Sequence, residues 1–199
     1  MKVNFDLKYQ QIIKTITNKK TLLLHSCCAP CSSAVLDFLK EYFDITVVYY
    51  NPNIFPVQEY EMRKQEQIRL LKILNIKFLD CDYDHESFLQ SVKGLEEQKE
   101  GGSRCNVCFN LRLEYTAQKA KSQNFDFFGT TLTISPHKNE QIINLLGEKL
   151  QNKYNIQYLF ADFKKHNGFF NSIKYSKQYD LYRQNYCGCE FSWRQNEQN

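Results

Sequence analysis

Short apolar runs alternate with longer amphipathic segments along most of this chain, and this alternation limits the fold more than any other feature. Five runs are typical of strands: Thr21–His25, Ile45–Tyr50, Lys77–Tyr83, Asp126–Leu132 and Ile156–Phe163. Helices are predicted from near Ser32 or Ser33, over about 59–74, 85–93 and 106–122, and from a capping Ser135-Pro136 pair towards Tyr154. Repeated βα units predict an α/β fold with a Rossmann-like parallel sheet flanked by helices.

The length of 199 residues fits a single domain. We expect a sheet core over about 20–163 and a C-terminal extension, residues 164–199, lying over the active site. No segment is apolar enough for a signal peptide or a membrane span, which favours a cytoplasmic location and no membrane partner. The net charge of +4 permits an anionic partner such as RNA.

Seven of the eight cysteines lie in three short motifs. The motifs contain Cys27, Cys28 and Cys31; Cys105 and Cys108; and Cys187 and Cys189. The eighth cysteine, Cys81, stands alone in a predicted strand and is expected to pack in the core. In a reducing compartment such clusters indicate metal binding or a catalytic cycle rather than structural disulfides.

The first two motifs favour a redox metal centre. Thiolates are ligands for zinc and for iron–sulfur clusters, and five of them exceed what one four-coordinate zinc requires. Adjacent Cys27 and Cys28 cannot easily bind one small tetrahedral ion together, but they can point at two neighbouring metals. The dipole of the following helix is expected to lower their pKa. Arg104, next to Cys105, either stabilises a thiolate-bound cluster or is a surface cation.

The third motif, Cys187-Gly188-Cys189, favours a redox role or further metal ligation. A disulfide across one intervening residue would close a strained and therefore labile ring. We take Cys187, Cys189 and His25 as the candidate catalytic residues. His25, at the end of the first strand, is either a structural histidine or a proton donor beside the cysteines. His85 and His166 are expected at the surface, and His137 lies in the predicted Ser135-Pro136 helix start, a potential anion site.

Three other interpretations remain open. A zinc-stabilised RNA-binding module without catalysis would use Cys28, Cys31, Cys105 and Cys108 as ligands, but it leaves Cys27 without a role. An ATP-using tRNA-modifying enzyme of related fold would need a phosphate loop, and no glycine-rich loop follows the first strand. A dithiol oxidoreductase makes little use of five clustered thiolates.

The chain resembles the cobalamin-independent epoxyqueuosine reductases, the QueH family, over about residues 20–190. The resemblance lies in these motifs: His25–Cys31, Tyr50–Ile54, Glu59-Tyr60 with Arg63, Arg104–Cys108 with Arg112, Thr130–Leu132 with Ser135-Pro136, Gly168-Phe169 and Tyr182–Cys189. It implies a fold of the HUP, or adenine nucleotide hydrolase-like, type. The implied reaction removes the epoxide oxygen of epoxyqueuosine at the tRNA wobble position, the last step of queuosine synthesis.

The resemblance also implies the cofactors and partners. They are a [4Fe–4S] cluster, an adjacent mononuclear iron, tRNA with GUN anticodons that carries epoxyqueuosine, and an external electron donor. The implied cluster ligands are Cys27, Cys28, Cys105 and Cys108, with Cys31 as a further metal ligand. Some family members have aspartate in place of Cys31. The residues expected to contact substrate are Asn51, Asn53, Tyr60, Arg63, Arg104, Ser135, Lys138, Phe169 and Arg183.

Overall fold

The computed structural model describes residues 2–197, and the side chains of residues 2–193. Its five strands are β1 (Lys20–His25), β2 (Phe43–Val48), β3 (Lys77–Leu79), β4 (Phe127–Thr130) and β5 (Gln157–Tyr158). Its helices are α1 (Phe5–Thr15), α2 (Ala29–Leu39), α3 (Val57–Leu74), α4 (His85–Ser91), α5 (Ser103–Ser122), α6 (Glu140–Tyr154), α7 (Gly168–Gln178) and α8 (Glu190–Glu197).

The strands form one parallel sheet in the order β3-β2-β1-β4-β5. This arrangement confirms the predicted α/β, Rossmann-like fold. His25, the last residue of β1, pairs with Val48 on one side and Thr130 on the other. Because the strand order reverses between β1 and β4, the loops after these strands diverge and leave a crevice, where doubly wound folds bind ligands.

Apolar residues cover both faces of the sheet. Leu23 and Phe128 belong to one core, where Leu113 of α5 and Ile143 of α6 are also buried. Leu22 and Leu24 belong to the other core, formed with residues of α2. Successive side chains of a strand point to opposite faces, so the continuous apolar run of β1 supplies both cores and requires helices on each side.

Three predicted helix starts are displaced, and one of them is that of α5, which begins at Ser103 rather than near residue 106. Helix α2 begins at Ala29 rather than at Ser32 or Ser33, because Pro30 is compatible with the first turn and Cys28 is the N-cap. Helix α6 begins at Glu140, and Ser135-Pro136 does not open it. The α6 cap is Asn139, whose side chain accepts hydrogen bonds from the backbone N–H groups of residues 141 and 142. The helix start predicted at Ser135-Pro136 is therefore wrong.

Three predicted strands are shorter than the sequence suggests, and one of them is β4, which covers only Phe127–Thr130. β3 ends at Leu79, so Cys81 lies beyond the strand, half-buried against the core. β5 contains only residues 157 and 158, although Leu159 and Phe160 remain buried. Buried apolar residues thus continue past the hydrogen-bonded ladder, and hydrophobicity alone cannot mark where pairing stops.

The C-terminal residues return to the carboxyl edge of the sheet. Helix α7 packs along α2, and residues 179–189 then pass beside α3 before α8 begins. The first residue of α7 is Gly168, and glycine is required there because a Cβ atom would overlap the Phe163 carbonyl oxygen. Among residues 2–197, no helix combines the length and the apolar character that crossing a bilayer requires.

Candidate metal centre and adjoining cavity

Cys27, Cys28 and Cys31, here called the first cysteine group, lie between the end of β1 and the first turn of α2. The backbone N–H of Cys27 donates to Thr131 Oγ1 at 3.4 Å, and the N–H of Thr131 donates to the His25 carbonyl at 2.9 Å. These bonds join the two loops at the crevice between β1 and β4. The three Sγ atoms lie within 4.8 Å of one another. No other group of three or more potential ligands this compact is present among the described residues.

The electrostatics of the first cysteine group favour one thiolate. Hydrogen bonds from the thiols of Cys28 and Cys31 lower the pKa of Cys27. The same hydrogen bonds, followed by burial and the negative charge of Cys27, raise the pKa of Cys31 and raise the pKa of Cys28 to about 12. Burial disfavours a charged Lys138, but the negative charges that Cys187 and Cys27 carry when ionised outweigh burial and raise the pKa of Lys138. A cation beside Cys27 can balance the negative charge of a metal–sulfur centre.

A cavity of about 550 Å³ opens beside the first cysteine group. Its lining includes Cys27, Cys31 and Cys187. Its basic residues are Arg63, Arg112, Lys138 and Arg183, and its acidic residue is Glu100. The cavity therefore combines sulfur ligands with an excess of positive charge, which suits an anionic substrate. Its volume lies in the range of small-molecule sites.

Cys105, Cys108, Cys187 and Cys189 are here called the second cysteine group. Cys105 and Cys108 lie within the first two turns of α5, one turn apart on one face. Burial raises the pKa of Cys105 and raises the pKa of Cys108 to about 11. Both lie within electrostatic range of Cys187, but neither joins the compact first cysteine group. The five cysteines expected to lie together thus form a compact group of three, the first cysteine group, and a separate pair, Cys105 and Cys108.

Arg112 lies one turn after Cys108 on α5 and is fully enclosed. Its Nε donates to the Cys108 carbonyl at 3.2 Å and its Nη1 to Asn51 Oδ1 at 3.4 Å. Its Nη2 is buried and has no hydrogen-bond partner among the described residues. Cysteines of both groups, when ionised, interact with this guanidinium electrostatically and raise its pKa against the effect of burial. Arg112 was not among the candidate site residues predicted from the sequence. The four-residue spacing from Cys108, which places both residues on one face of a helix, could have identified it.

The two C-terminal cysteines have different surroundings. Cys187 lines the cavity, whereas Cys189 is buried with Cys108 and Phe88. Burial raises the pKa of Cys189 to about 12. All eight cysteines are free thiols in the structure, so the Cys187–Cys189 disulfide stays a prediction. Gln184 reaches the first cysteine group, since its Nε2 donates to Cys28 Sγ at 2.9 Å.

Both ring nitrogens of His25 form hydrogen bonds within the fold. Its side chain is fully buried, with Nδ1 3.0 Å from Thr130 Oγ1 and Nε2 3.1 Å from the Tyr50 carbonyl. Because a carbonyl only accepts, Nε2 carries the hydrogen and Nδ1 accepts from the Thr130 hydroxyl. Burial, followed by the charge of Arg112, lowers the pKa of His25 to about 3. This geometry favours a structural histidine over a proton donor.

His85 is not the ordinary surface residue expected from the sequence. Its ring lies 2.7 Å from the Pro52 carbonyl through Nδ1 and 3.2 Å from Glu190 Oε1 through Nε2. Its side chain is only 17% exposed. His166 is exposed, as predicted, and contacts Asp6 at 3.1 Å.

The residues expected to contact substrate divide into two sets. The set that lines the cavity is Arg63, Ser135, Lys138, Phe169 and Arg183. The set that lies outside its lining is Asn51, Asn53, Tyr60 and Arg104, and all four are buried. Asn51 Nδ2 donates to the Ser26 carbonyl at 2.8 Å and thereby holds the cysteine loop. The amide atoms of Asn53 and the hydroxyl of Tyr60 have no hydrogen-bond partner within the described chain.

Arg104 is not a surface cation, although its charge favours the ionised form of Cys105. Its guanidinium donates to the carbonyls of Leu95, Glu96 and Gln98 and stacks over the Phe191 ring. A side chain that is 1% exposed and bonded to three carbonyls cannot be a surface cation. Through these hydrogen bonds Arg104 holds the loop that precedes α5, and it does not line the cavity.

The solved structure of the U34-tRNA thiolase NcsA from Methanococcus maripaludis with its [4Fe-4S] cluster superposes with a TM-score of 0.58 at 11% identity. The match covers 94% of this chain and 67% of that one. At this identity the likeness shows a shared fold alone, in agreement with the Rossmann-like sheet described above.

Sequence relatives show the family. The epoxyqueuosine reductase QueH of Streptococcus pyogenes serotype M1 is 44% identical over 96% of this chain and 78% of its own length. The epoxyqueuosine reductase QueH of Staphylococcus epidermidis is 42% identical over 96% of this chain and 85% of its own length. The family model for epoxyqueuosine reductase QueH matches residues 22–195. The chain thus belongs to the QueH family of oxidoreductases.

Proposed function

We propose that this protein reduces epoxyqueuosine to queuosine at the wobble position of tRNA, the last step of queuosine synthesis. The observation that carries the proposal is the first cysteine group, which opens into a basic cavity in a member of the QueH family. The reaction consumes two electrons and two protons: both C–O bonds of the epoxide break, an alkene forms and the oxygen leaves as water. The electrons come from an external donor.

The cysteines fit the proposed cofactors in number and chemistry. Cys27, Cys28, Cys105 and Cys108 would hold a [4Fe–4S] cluster, and Cys31 would ligate the adjacent mononuclear iron. The compact first cysteine group and the buried, unpartnered Nη2 of Arg112 support an anionic metal–sulfur centre here. When bound, this centre supplies single electrons and polarises the epoxide oxygen as a Lewis acid.

The remaining residues of the cavity bind and orient the substrate. Phe169, 37% exposed at the start of α7, offers a ring on which a base extruded from the anticodon loop can stack. Lys138 and Arg183 attract the tRNA backbone, and Ser135 offers a hydroxyl to a polar group of the modified base. Arg63 closes the wall near Cys187. The protein would therefore hold the wobble base against the first cysteine group.

The C-terminal cysteines complete the proposal. Cys187 lies at the cavity and Cys189 behind it, so the pair is placed to relay electrons or protons towards the substrate. His25 keeps the cysteine loop in register rather than titrating. The substrates are tRNAs with GUN anticodons that carry epoxyqueuosine, and the site of action is the cytoplasm.

Anaerobic analysis combined with an assay tests the proposal. Protein purified without oxygen should be brown and contain iron and sulfide, and it should convert epoxyqueuosine in tRNA to queuosine when supplied with a strong reductant. Digestion of the tRNA and mass spectrometry of its nucleosides measure the conversion. A colourless protein that contains zinc and binds RNA without conversion would favour the zinc-stabilised module and contradict the reductase.

A further inference from the structure

Residues 186–189, here called the dithiol segment, are tied to the loop that precedes α3. The N–H of Phe55 donates to the Gly188 carbonyl at 2.8 Å, and Ile54 forms an antiparallel bridge with Cys189. The Tyr186 hydroxyl donates to the Phe55 carbonyl at 2.7 Å. The segment is thus part of the wall of the site and not a free tail.

Arg63 contacts the same segment from α3. Its guanidinium is 3% exposed, its Nε donates to Glu59 Oε1 at 2.6 Å, and all three of its nitrogens are engaged. Nη1 donates to the Cys187 carbonyl at 3.3 Å, Nη2 to the Tyr186 carbonyl at 3.4 Å, and the Tyr186 ring lies 4.9 Å from Cζ. Three of its five N–H donors are used on Glu59 and the dithiol segment, and its burial leaves little of the guanidinium accessible to a substrate.

Gly188 makes this contact possible. Its φ of +102° lies in the region that favours glycine. A Cβ atom at this position would also lie 2.9 Å from Arg63 Nη1 and 3.0 Å from Ile54 Cγ1. The absence of a side chain lets the backbone between the two cysteines approach the guanidinium closely.

We infer that Arg63, fixed by Glu59, is a positioning residue that places Cys187 at the cavity and Cys189 against Cys108. This assigns Arg63 to the dithiol segment in place of the substrate contact expected from the sequence. The inference rests on the proposed function only for its effect on turnover. The placement of the two thiols can be measured whether or not the protein reduces epoxyqueuosine.

The chain offers a matched control in Arg69, also on α3. Arg69 pairs with Glu66 at 2.7 Å and donates to the carbonyls of Tyr179 and Asp180, which begin the same C-terminal stretch. Arg63→Gln and Arg69→Gln therefore each remove a guanidinium–glutamate pair and two carbonyl contacts. Of these two arginines only Arg63 contacts the dithiol segment, so Arg69→Gln controls for the loss of an ion pair and of carbonyl contacts on α3.

The test measures the alkylation rate of Cys187 by iodoacetamide in the full-length, anaerobically purified protein, with peptide mass spectrometry to resolve the site. Arg63→Gln should change the rate at least fivefold, Arg69→Gln less than twofold, and Arg63→Lys should lie between. In the turnover assay Arg63→Gln should lower kcat while KM stays within twofold, and iron content should not change.

Two results would overturn the inference. An unchanged Cys187 rate in Arg63→Gln would show that the contact does not hold the thiol, and equal changes in both variants would indicate general loosening of the C-terminal stretch. If Arg63→Gln does not fold, Gly188→Ala disturbs the same contact from the other side and should change the same rate at least fivefold. A changed alkylation rate in a protein without reductase activity would support the inference and contradict the proposed function.

Discussion

The two cysteine groups of this protein are built in different ways. The first lies within five consecutive positions, and backbone hydrogen bonds between the β1 and β4 loops hold it. The second brings the start of α5 together with residues about 80 positions later, and buried apolar contacts hold it. In the first, neighbouring thiols lower the pKa of Cys27, whereas in the second burial raises the pKa of each shifted thiol. Among the cysteines whose pKa is shifted, only Cys27 has surroundings that favour the thiolate form, the form that binds metal.

The largest expected effect comes from breaking the first cysteine group. Cys27→Ser should abolish iron and sulfide incorporation and lower turnover at least about 100-fold, because the residue that favours the thiolate form is lost. Metal analysis and the tRNA assay measure the two effects. Cys81→Ser is the matched control, since Cys81 is half-buried outside both groups. A Cys27→Ser protein with its full iron content would remove the first group from the ligand set.

The second cysteine group should divide into two functional halves. Replacing Cys187 and Cys189 together by serine should leave iron content within about 20% of the parent, a margin set by assay precision, and should lower turnover at least about tenfold. The reason is that these residues approach the cavity from the C-terminal extension rather than from the metal loop. Iron analysis of the same preparations used for kinetics checks this expectation. Loss of the cluster would instead identify Cys187 and Cys189 as ligands, and the second group would then have one function rather than two.

The sequence predicted the first group better than the second for a physical reason. Strand periodicity and the spacing of Cys27, Cys28 and Cys31 are local, so the sheet and the cysteine loop followed from pattern alone. Arg104 was misplaced because adjacency to Cys105 in sequence says little on a helix, where neighbouring side chains diverge by about 100°. Arg112 was missed because its environment exists only after α5 packs against the sheet.

Arg112, which lies within electrostatic range of both cysteine groups, offers a test with a smaller expected effect. Arg112→Gln removes the enclosed positive charge that lies within electrostatic range of both cysteine groups, and it leaves an amide able to contact Asn51. We expect the reduction potential of the bound centre to fall by tens of millivolts, where about 59 mV corresponds to a tenfold change in a one-electron equilibrium. The unfolding free energy should fall by about 1–3 kcal/mol.

Redox titration by electron paramagnetic resonance and thermal unfolding measure these effects. Arg112→Lys keeps the positive charge but has fewer donors, so it should keep most of the potential and lose part of the stability. If Arg112→Gln leaves the potential unchanged, the guanidinium does not balance the charge of the centre. Its unpartnered Nη2 would then need another explanation.

The smallest expected effect tests how the C-terminal extension, which carries half of the second cysteine group, is attached at its start. Glu140, in the first turn of α6, contacts Lys164 at 3.2 Å and Lys2 at 3.3 Å. Burial opposes its charge, but its own backbone N–H and the Lys164 side chain outweigh burial and lower the pKa of Glu140 to about 2. The folded state therefore binds the Glu140 proton less tightly than the unfolded chain does.

The sign of the pH dependence follows from this pKa. The stabilisation by the Glu140 carboxylate is complete above the ordinary pKa of 4.5 and is lost as the pH falls towards 2. Glu140→Gln should thus cost about 1 kcal/mol at pH 7, after allowance for solvent screening, and the difference from the parent should vanish near pH 2. Chemical unfolding as a function of pH measures it, with Glu148→Gln as a control for an exposed pair on the same helix. Iron content should stay constant in both variants. Glu140 takes no part in the hydrogen bonds that hold the first group or in the contacts of Arg63 with the dithiol segment. A loss of iron in Glu140→Gln would mean that the second group depends on this distant attachment as much as on its own packing.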